Sequence, residues 1–237
     1  MDAQHTPTTR ETEYLINDRV IDFGDCKVSA REALTKADLI PTSEYQLILV
    51  RDGRTKLFTS DDEIDLKKEA GGFLRAFRSD RSFSFTVDEV AQVWGEEAME
   101  VEEFMSIWTP PQGHDWVLEQ AEEPDIVLRT GGTISFGPKG VEDIISRPHH
   151  SPEKVAVTVF TTSGTYPSQG ALRVRTSVMI ADVLAKAAEA LSLADTSTWI
   201  VTIDGTQIAP SQTFEQAGLH GEVELEWGAP EGGGGNA

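Results

Sequence analysis

A single cysteine, Cys26, stands among 237 residues, which excludes an internal disulfide and every multi-cysteine metal site. No stretch approaches the roughly 20 consecutive apolar residues that cross a bilayer. The N-terminal run MDAQHTPTTRETE lacks the apolar core of a secretory signal. Basic residues are few: 20 Lys and Arg face 40 Asp and Glu, so the formal net charge is −20. A nucleic-acid partner demands a basic face to neutralise phosphate, and an anionic bilayer surface demands the same, so neither is expected. No P-loop, dinucleotide fingerprint or nucleophile elbow occurs anywhere. Cys26 has only Lys27 and acidic neighbours, whereas a nucleophile needs a general base or a lowered pKa. His149-His150 lacks further ligands, and His5, His114 and His220 have no ligand spacing. The acidic groups Asp61-Asp62-Glu63 and Glu96-Glu97 lack the glycine-spaced oxygen ligands of a calcium loop. The expectation is a cytoplasmic protein without cofactor, metal or catalytic residues of its own.

What the chain does contain is repetition. Ile16-Asn17-Asp18 through Leu49 overlays Val87-Asp88-Glu89 through Gln120 without a gap. Phe23-Gly24-Asp25 then meets Trp94-Gly95-Glu96, and Tyr45-Gln46-Leu47 meets Trp116-Val117-Leu118, at a constant offset of 94 − 23 = 116 − 45 = 71. Leu57 falls on Leu128 and, with one residue dropped, Ile64 on Ile134 and Leu66 on Phe136. This period exceeds the roughly 20–50 residues of solenoid repeats, so each copy must be a small domain with its own core. Arg147-Pro148-His149-His150-Ser151-Pro152, with two prolines, reads as a linker. Residues 155–227 make a third segment of similar length. The expected division is a disordered lead-in at 1–11, domains at 12–79, 82–148 and 154–228, and a flexible glycine tail at 229–237.

Element order is clearest in the third segment. Val155–Phe160 is β-rich and precedes the Ser163-Gly164 turn; Leu172–Arg175 alternates as a half-buried strand, giving a hairpin. Val178–Leu193 carries Ile180, Val183, Leu184, Ala187, Ala188 and Leu191 at helical spacing, with Thr176 or Ser177 as N-cap and Asp182 in the first turn. Trp199–Ile203 ends at the Asp204-Gly205 turn, Thr213–Gly218 is a short helical turn, and Val223–Trp227 closes the sheet. Strand, strand, helix, strand, short helix, strand is the β-grasp order, an α+β fold. The first segment fits it with strands at Tyr14–Asn17, Val20–Phe23 and Tyr45–Arg51, a helix at Ala30–Leu39, and edge and closing strands at Ile64–Leu66 and Phe73–Phe77.

With that order and the tail Glu231-Gly232-Gly233-Gly234-Gly235-Asn236-Ala237, the third segment resembles ubiquitin-like modifiers, including its run Thr213–Leu219. The first two resemble bacterial multiubiquitin-type repeats, through Tyr45-Gln46-Leu47 and Ile64-Asp65-Leu66. The whole chain resembles the tandem ubiquitin-like (Bil-like) modifier of bacterial antiphage conjugation operons. The resemblance implies that a partner activating enzyme adenylates a terminal glycine carboxylate with ATP. A conjugating enzyme then delivers it to an amine on a target protein, as an isopeptide. A JAB-type metallopeptidase trims the extension Asn236-Ala237, leaving Gly234-Gly235 as the conjugated end. The family usually carries a basic residue before its glycines; here Gly228-Ala229-Pro230-Glu231 stands instead.

Glycine has no Cβ, so consecutive glycines let an extended chain enter a narrow channel in a partner's active site. Gly71-Gly72 and Gly131-Gly132, read as corresponding positions, are internal turns. Leu172, Val201 and Ile203 are candidates for a docking surface, with a core role equally compatible. Two other readings share the tail: a sulfur carrier ending in a thiocarboxylate, and a non-covalent ubiquitin-like binding scaffold.

Overall fold

The computed structural model describes residues 12–121, 123–137, 142–149 and 151–230. The expected lead-in at 1–11 lies outside them. No described helix is long and apolar enough to cross a membrane. The chain divides into two compact units, Met1–Met99 with Ser135–Glu142 and Glu100–Ile134 with Asp143–Ala237.

The first unit opens on a hairpin, β1 (Glu13–Ile16) and β2 (Arg19–Asp22). Asn17 and Asp18 turn it at φ 46° and 63°, a left-handed backbone that these two residue types tolerate better than most. β3 (Lys27–Ser29) leads into α1 (Ala30–Lys36), capped where the Ser29 hydroxyl accepts from the Glu32 amide at 3.1 Å. The helix stops short of Leu39 because Asp38 turns left-handed at φ 63°. β4 (Gln46–Arg51), β5 (Arg54–Phe58), β6 (Glu63–Asp65) and β7 (Phe73–Phe77) follow.

The sheet runs β2-β1-β7-β4-β5, with β1 and β7 parallel and the other pairs antiparallel. Its inner face, Tyr14, Ile16, Leu47, Leu49, Phe58 and Leu74, shares a core with Ala33 and Leu34 of α1. First and last strands side by side under a helix make this a β-grasp. The expected edge strand Ile64–Leu66 is instead β6, paired with β3 in a ladder of its own; the sheet's edge is β5, folded back by Asp52-Gly53 at φ 51° and 67°. The unit also holds the hairpin β8 (Phe83–Val87) and β9 (Val90–Trp94), turned by Asp88 and Glu89 at φ 45° and 67° as β1–β2 is by their counterparts.

β10 (Ala98–Glu100) runs into the second unit, which contains α2 (Val101–Ile107), β11 (His114–Glu119), β12 (Ile126–Leu128), β13 (Thr133–Ser135) and β14 (Glu142–Pro148). Next come β15 (Lys154–Thr161), β16 (Gly164–Tyr166), β17 (Gly170–Arg175), α3 (Ile180–Ala190), β18 (Ile200–Ile203), β19 (Thr206–Ile208) and β20 (Gly221–Gly228). Within this unit the strands run β19-β18-β20-β15-β17-β12-β11-β14, with β16 folded onto the end of β15. β15 and β20 are parallel and their outer neighbours antiparallel, a second β-grasp. Ile180, Val183, Leu184 and Ala187 bury one stripe of α3. The cap position is Met179, not Thr176 or Ser177: the Val178 carbonyl and Thr176 carbonyl accept from Phe214 and Glu215, so this stretch is tied to the Thr213 turn before the helix begins.

Hydrogen bonds repeat along the chain. The first amide of each helix is held by a later carbonyl: Ala30 by Asp62, Val101 by Gly132 and Ile180 by Gln212, at 3.0, 2.9 and 3.0 Å. Leu66 donates to Cys26 as Phe136 does to Glu97, keeping offsets of 136 − 66 = 70 and 97 − 26 = 71. Two overlays change. Leu74 opposite Leu49 matches Ile144 opposite Leu118, so the central strand runs at 118 − 49 = 69. Two residues are missing after the second helix, and a shift of two keeps every side chain on its face, which is why the gapless pattern matched. Leu128 matches Phe58, both buried, rather than Leu57. Gly131-Gly132 matches Asp61-Asp62, as the helix-start bond shows, and not Gly71-Gly72.

Each unit contains one joint between successive segments. In the first, Gln92 on β9, only 4% exposed, faces β5: its Oε1 accepts from the Thr55 amide at 2.9 Å and hydroxyl at 3.1 Å, and its Nε2 donates to Gly53 O at 3.1 Å. In the second, β12 and β17 form an antiparallel ladder with Val127 opposite Ala171, extended by Arg173 N to Asp125 O at 2.7 Å and Arg129 N to Gln169 O at 3.1 Å. Val117, Val127 and Ala171 pack across it. The expected linker is thus narrower than 147–152: Arg147 and Pro148 belong to β14, and the His149 ring meets Asp115 at 2.8 Å.

Candidate functional site

Gly234, Gly235, Asn236 and Ala237, the expected conjugated end and its extension, lie outside the described residues. What the structure describes is the strand that carries them. β20 reads Gly-Glu-Val-Glu-Leu-Glu-Trp-Gly, and a strand with alternating apolar residues must put Val223, Leu225 and Trp227 on one face. All three are buried. β20 is bonded along both edges: to β15 in parallel from Val155↔Gly221 to Phe160↔Glu226, and to β18 antiparallel from Thr202↔Glu226 to Ile200↔Gly228. Trp227 meets Trp199 edge to face, with centroids 5.2 Å apart at 74°. The strand is pinned up to Gly228; Ala229 and Pro230 follow, and proline offers no amide to prolong a ladder.

The opposite face of β20 presents Glu222, Glu224 and Glu226 in a row. Glu222 takes a 2.6 Å ion pair from Arg129, and Glu226 accepts from the Thr202 hydroxyl at 3.1 Å. Thr158 and the 38% exposed Phe160 stand beside them on β15. A groove of about 360 Å3 borders this face, lined by Arg129, Gly132, Thr158, Phe160, Glu222 and Glu224 among others. Arg129 also pairs with Asp115 at 3.2 Å, so one guanidinium ties the end of β12 to two carboxylates. The outer surface is therefore acidic with one aromatic beside it.

Leu172 and Val201 do not contribute to that surface. Both are buried, and Ile203 shares Val201's side of its strand. Their place was decidable once β20's parity was known, because Val201 lies opposite Trp227. Cys26 is half-buried with a free thiol, and its carbonyl serves the Leu66 amide. Among the described residues no three His, Cys, Asp or Glu side chains gather as a metal site. The internal glycines have structural reasons. A Cβ on Gly72 would lie 2.7 Å from the Tyr14 hydroxyl, and one on Gly132 would lie 2.5 Å from Gln169 O. Gly170 leaves room for Val127 O, 2.2 Å from where its Cβ would sit, at φ 151°.

The fold is ubiquitin-like. That follows from the two sheets with parallel first and last strands, each with its helix started by a carbonyl from the later loop. Among solved structures the chain is similar to a de novo designed protein based on ubiquitin, at 22% identity over 36% of this chain and 100% of that one, TM-score 0.29. It is similar too to an N-terminal ubiquitin-like domain solved in solution, at 13% identity over 43% of this chain and 96% of that one, TM-score 0.27. No family model matches the sequence, and no curated protein matches it.

Proposed function

We propose that this chain is a ubiquitin-like protein modifier of three tandem β-grasp domains, conjugated through Gly235 once Asn236-Ala237 is removed. The observation that carries the reading is β20: a central strand bonded on both edges to Gly228, followed within a few residues by four consecutive glycines in the sequence. A rigid body then aims a slender, Cβ-free arm, which suits a carboxylate that must reach another protein's active site.

In this reading the chain supplies an acyl group and partners supply the chemistry. The Gly235 carboxylate attacks the α-phosphorus of ATP on an activating enzyme, releasing pyrophosphate and forming an acyl-adenylate. A cysteine thiolate displaces AMP, a conjugating enzyme takes the acyl group, and a target amine displaces that thiolate to form an isopeptide. A JAB-type metallopeptidase exposes Gly235 beforehand. The setting is bacterial antiphage defence in the cytoplasm.

The test combines the chain ending at Gly235, the activating enzyme and ATP. The expected result is pyrophosphate release and a reductant-sensitive thioester, both abolished in a chain ending at Gly228. Absence of pyrophosphate release from the Gly235-ending chain refutes the reading. If intact mass shows instead a terminal oxygen replaced by sulfur, the chain is a sulfur carrier. If a chain ending at Gly228 keeps every partner interaction, the chain is a binding scaffold.

A further inference from the structure

The two joints inside this chain are of one kind. Thr55 on β5 and Asp125 at the start of β12 occupy equivalent places, since 125 − 55 = 70, the offset that relates Phe58 to Leu128. Each belongs to the outermost strand beyond its segment's central hairpin partner: β5 beyond β4, and β12 beyond β11. Each faces the second strand of the next segment's opening hairpin, β9 or β17. One joint is bridged by Gln92 and Thr55 side chains, the other by a backbone ladder, but the two edges meeting are the same two edges.

A joint between unlike edges is head to tail, and a head-to-tail series always leaves one edge of each kind unused at its ends. Here these are β2, the second strand of the first hairpin, and β19, the outermost strand beyond β18. No other strand pairs with the outer side of either among the described residues. An open strand edge presents amides and carbonyls ready for another strand. β19 is Thr206-Gln207-Ile208 with no charge; β2, Arg19-Val20-Ile21-Asp22, is charged at its ends but carries Val20 61% exposed between them, opposite Leu15 at 38%.

We propose that copies of this chain associate head to tail, with β19 of one copy laid antiparallel against β2 of the next. The occupant is a second copy because the chain already closes this pairing of edges twice within itself. Such a contact is heterologous, so it builds open strings of varying length unless its rotation closes into a ring, and not an isologous dimer. A net charge of −20 opposes it, so screening must favour it.

The test is sedimentation velocity of the full chain over a range of concentrations, in about 0.01 M and about 1 M salt. Species heavier than monomer are expected to grow in size with concentration, and more so at high salt. Val20→Asp, at an exposed position of β2, and Gln207→Pro, in β19, are each expected to remain monomeric; Gln207→Asp replaces the proline variant if circular dichroism shows that proline disturbs the fold. An equal mixture of a β2 variant and a β19 variant is expected to form a one-to-one dimer and nothing larger, since one intact edge of each kind remains. A wild type that stays monomeric at every concentration and salt overturns the proposal. So does a single dimer that never grows, a Val20→Asp chain that still forms strings, or a mixture of folded variants that gives no dimer.

Discussion

Tyr14 shows how one side chain can hold a loop and a glycine in place. Its ring is in the core of the first segment, and its hydroxyl donates to the Glu69 carbonyl while crowding out any side chain at position 72. Burial, and then the negative charge of Glu69, push its pKa up to about 12. Ionisation is thus harder in the fold than in the unfolded chain. The stabilisation is complete below about pH 10, the free tyrosine value, and is lost as pH climbs through the window up to the folded pKa of about 12. Tyr14→Phe keeps the ring and loses the hydrogen bond, so it is expected to cost about 1 kcal/mol near neutrality. It should also flatten the alkaline fall relative to wild type, measured by urea unfolding at successive pH values. Equal alkaline slopes in the two proteins would remove Tyr14 from this role.

At the scale of elements, the β12–β17 ladder depends on Gly170. Alanine there is strained at φ 151° and brings its Cβ to 2.2 Å from the Val127 carbonyl. Gly170→Ala is expected to cost about 1 kcal/mol for each ladder bond it breaks, and to raise amide exchange at Val127 and Arg129, whose amides face β17, while leaving the β4–β5 hairpin unchanged. Unaltered exchange at those two amides would show the ladder to be dispensable. The sequence displays the opening hairpins, the helices and the grasp order of the last segment plainly, because each rests on local alternation, helical spacing or a turn such as Asp204-Gly205, but the β4–β5 hairpin turned by Asp52-Gly53 escapes it. It hides what depends on distant partners. Ile64–Leu66 looks like a sheet edge until the pairing of Glu63–Asp65 with Lys27–Ser29 is seen, and Gln92 looks like a solvated strand residue until β5 covers it. Leu172 and Val201 could be assigned a side only through the register of β20 and β15. The run Gly232–Gly235 is legible as composition alone and lies outside the described residues.

For the molecule as a whole, 40 acidic residues against 20 basic ones make like copies repel most strongly at low salt, and most of the described ion pairs involve an exposed side chain, where each contributes little. What holds the last segment is the apolar face of its sheet and the doubly bonded β20. Its bonding to β15 has a mechanical meaning. Traction on the tail, resisted at Lys154 where β15 begins, slides the two parallel strands along each other instead of peeling them apart. All the pairs from Val155↔Gly221 to Phe160↔Glu226 must then fail together. In optical tweezers the last segment is expected to rupture in one abrupt step when pulled from its two ends, and at far lower force when pulled across the Thr161–Gly164 hairpin tip; equal forces in both geometries would sink the idea. If the tail is joined to a target as proposed, dragging on it loads these pairs in shear, and a motor hauling on the joined molecules meets its stiffest obstacle in the last segment.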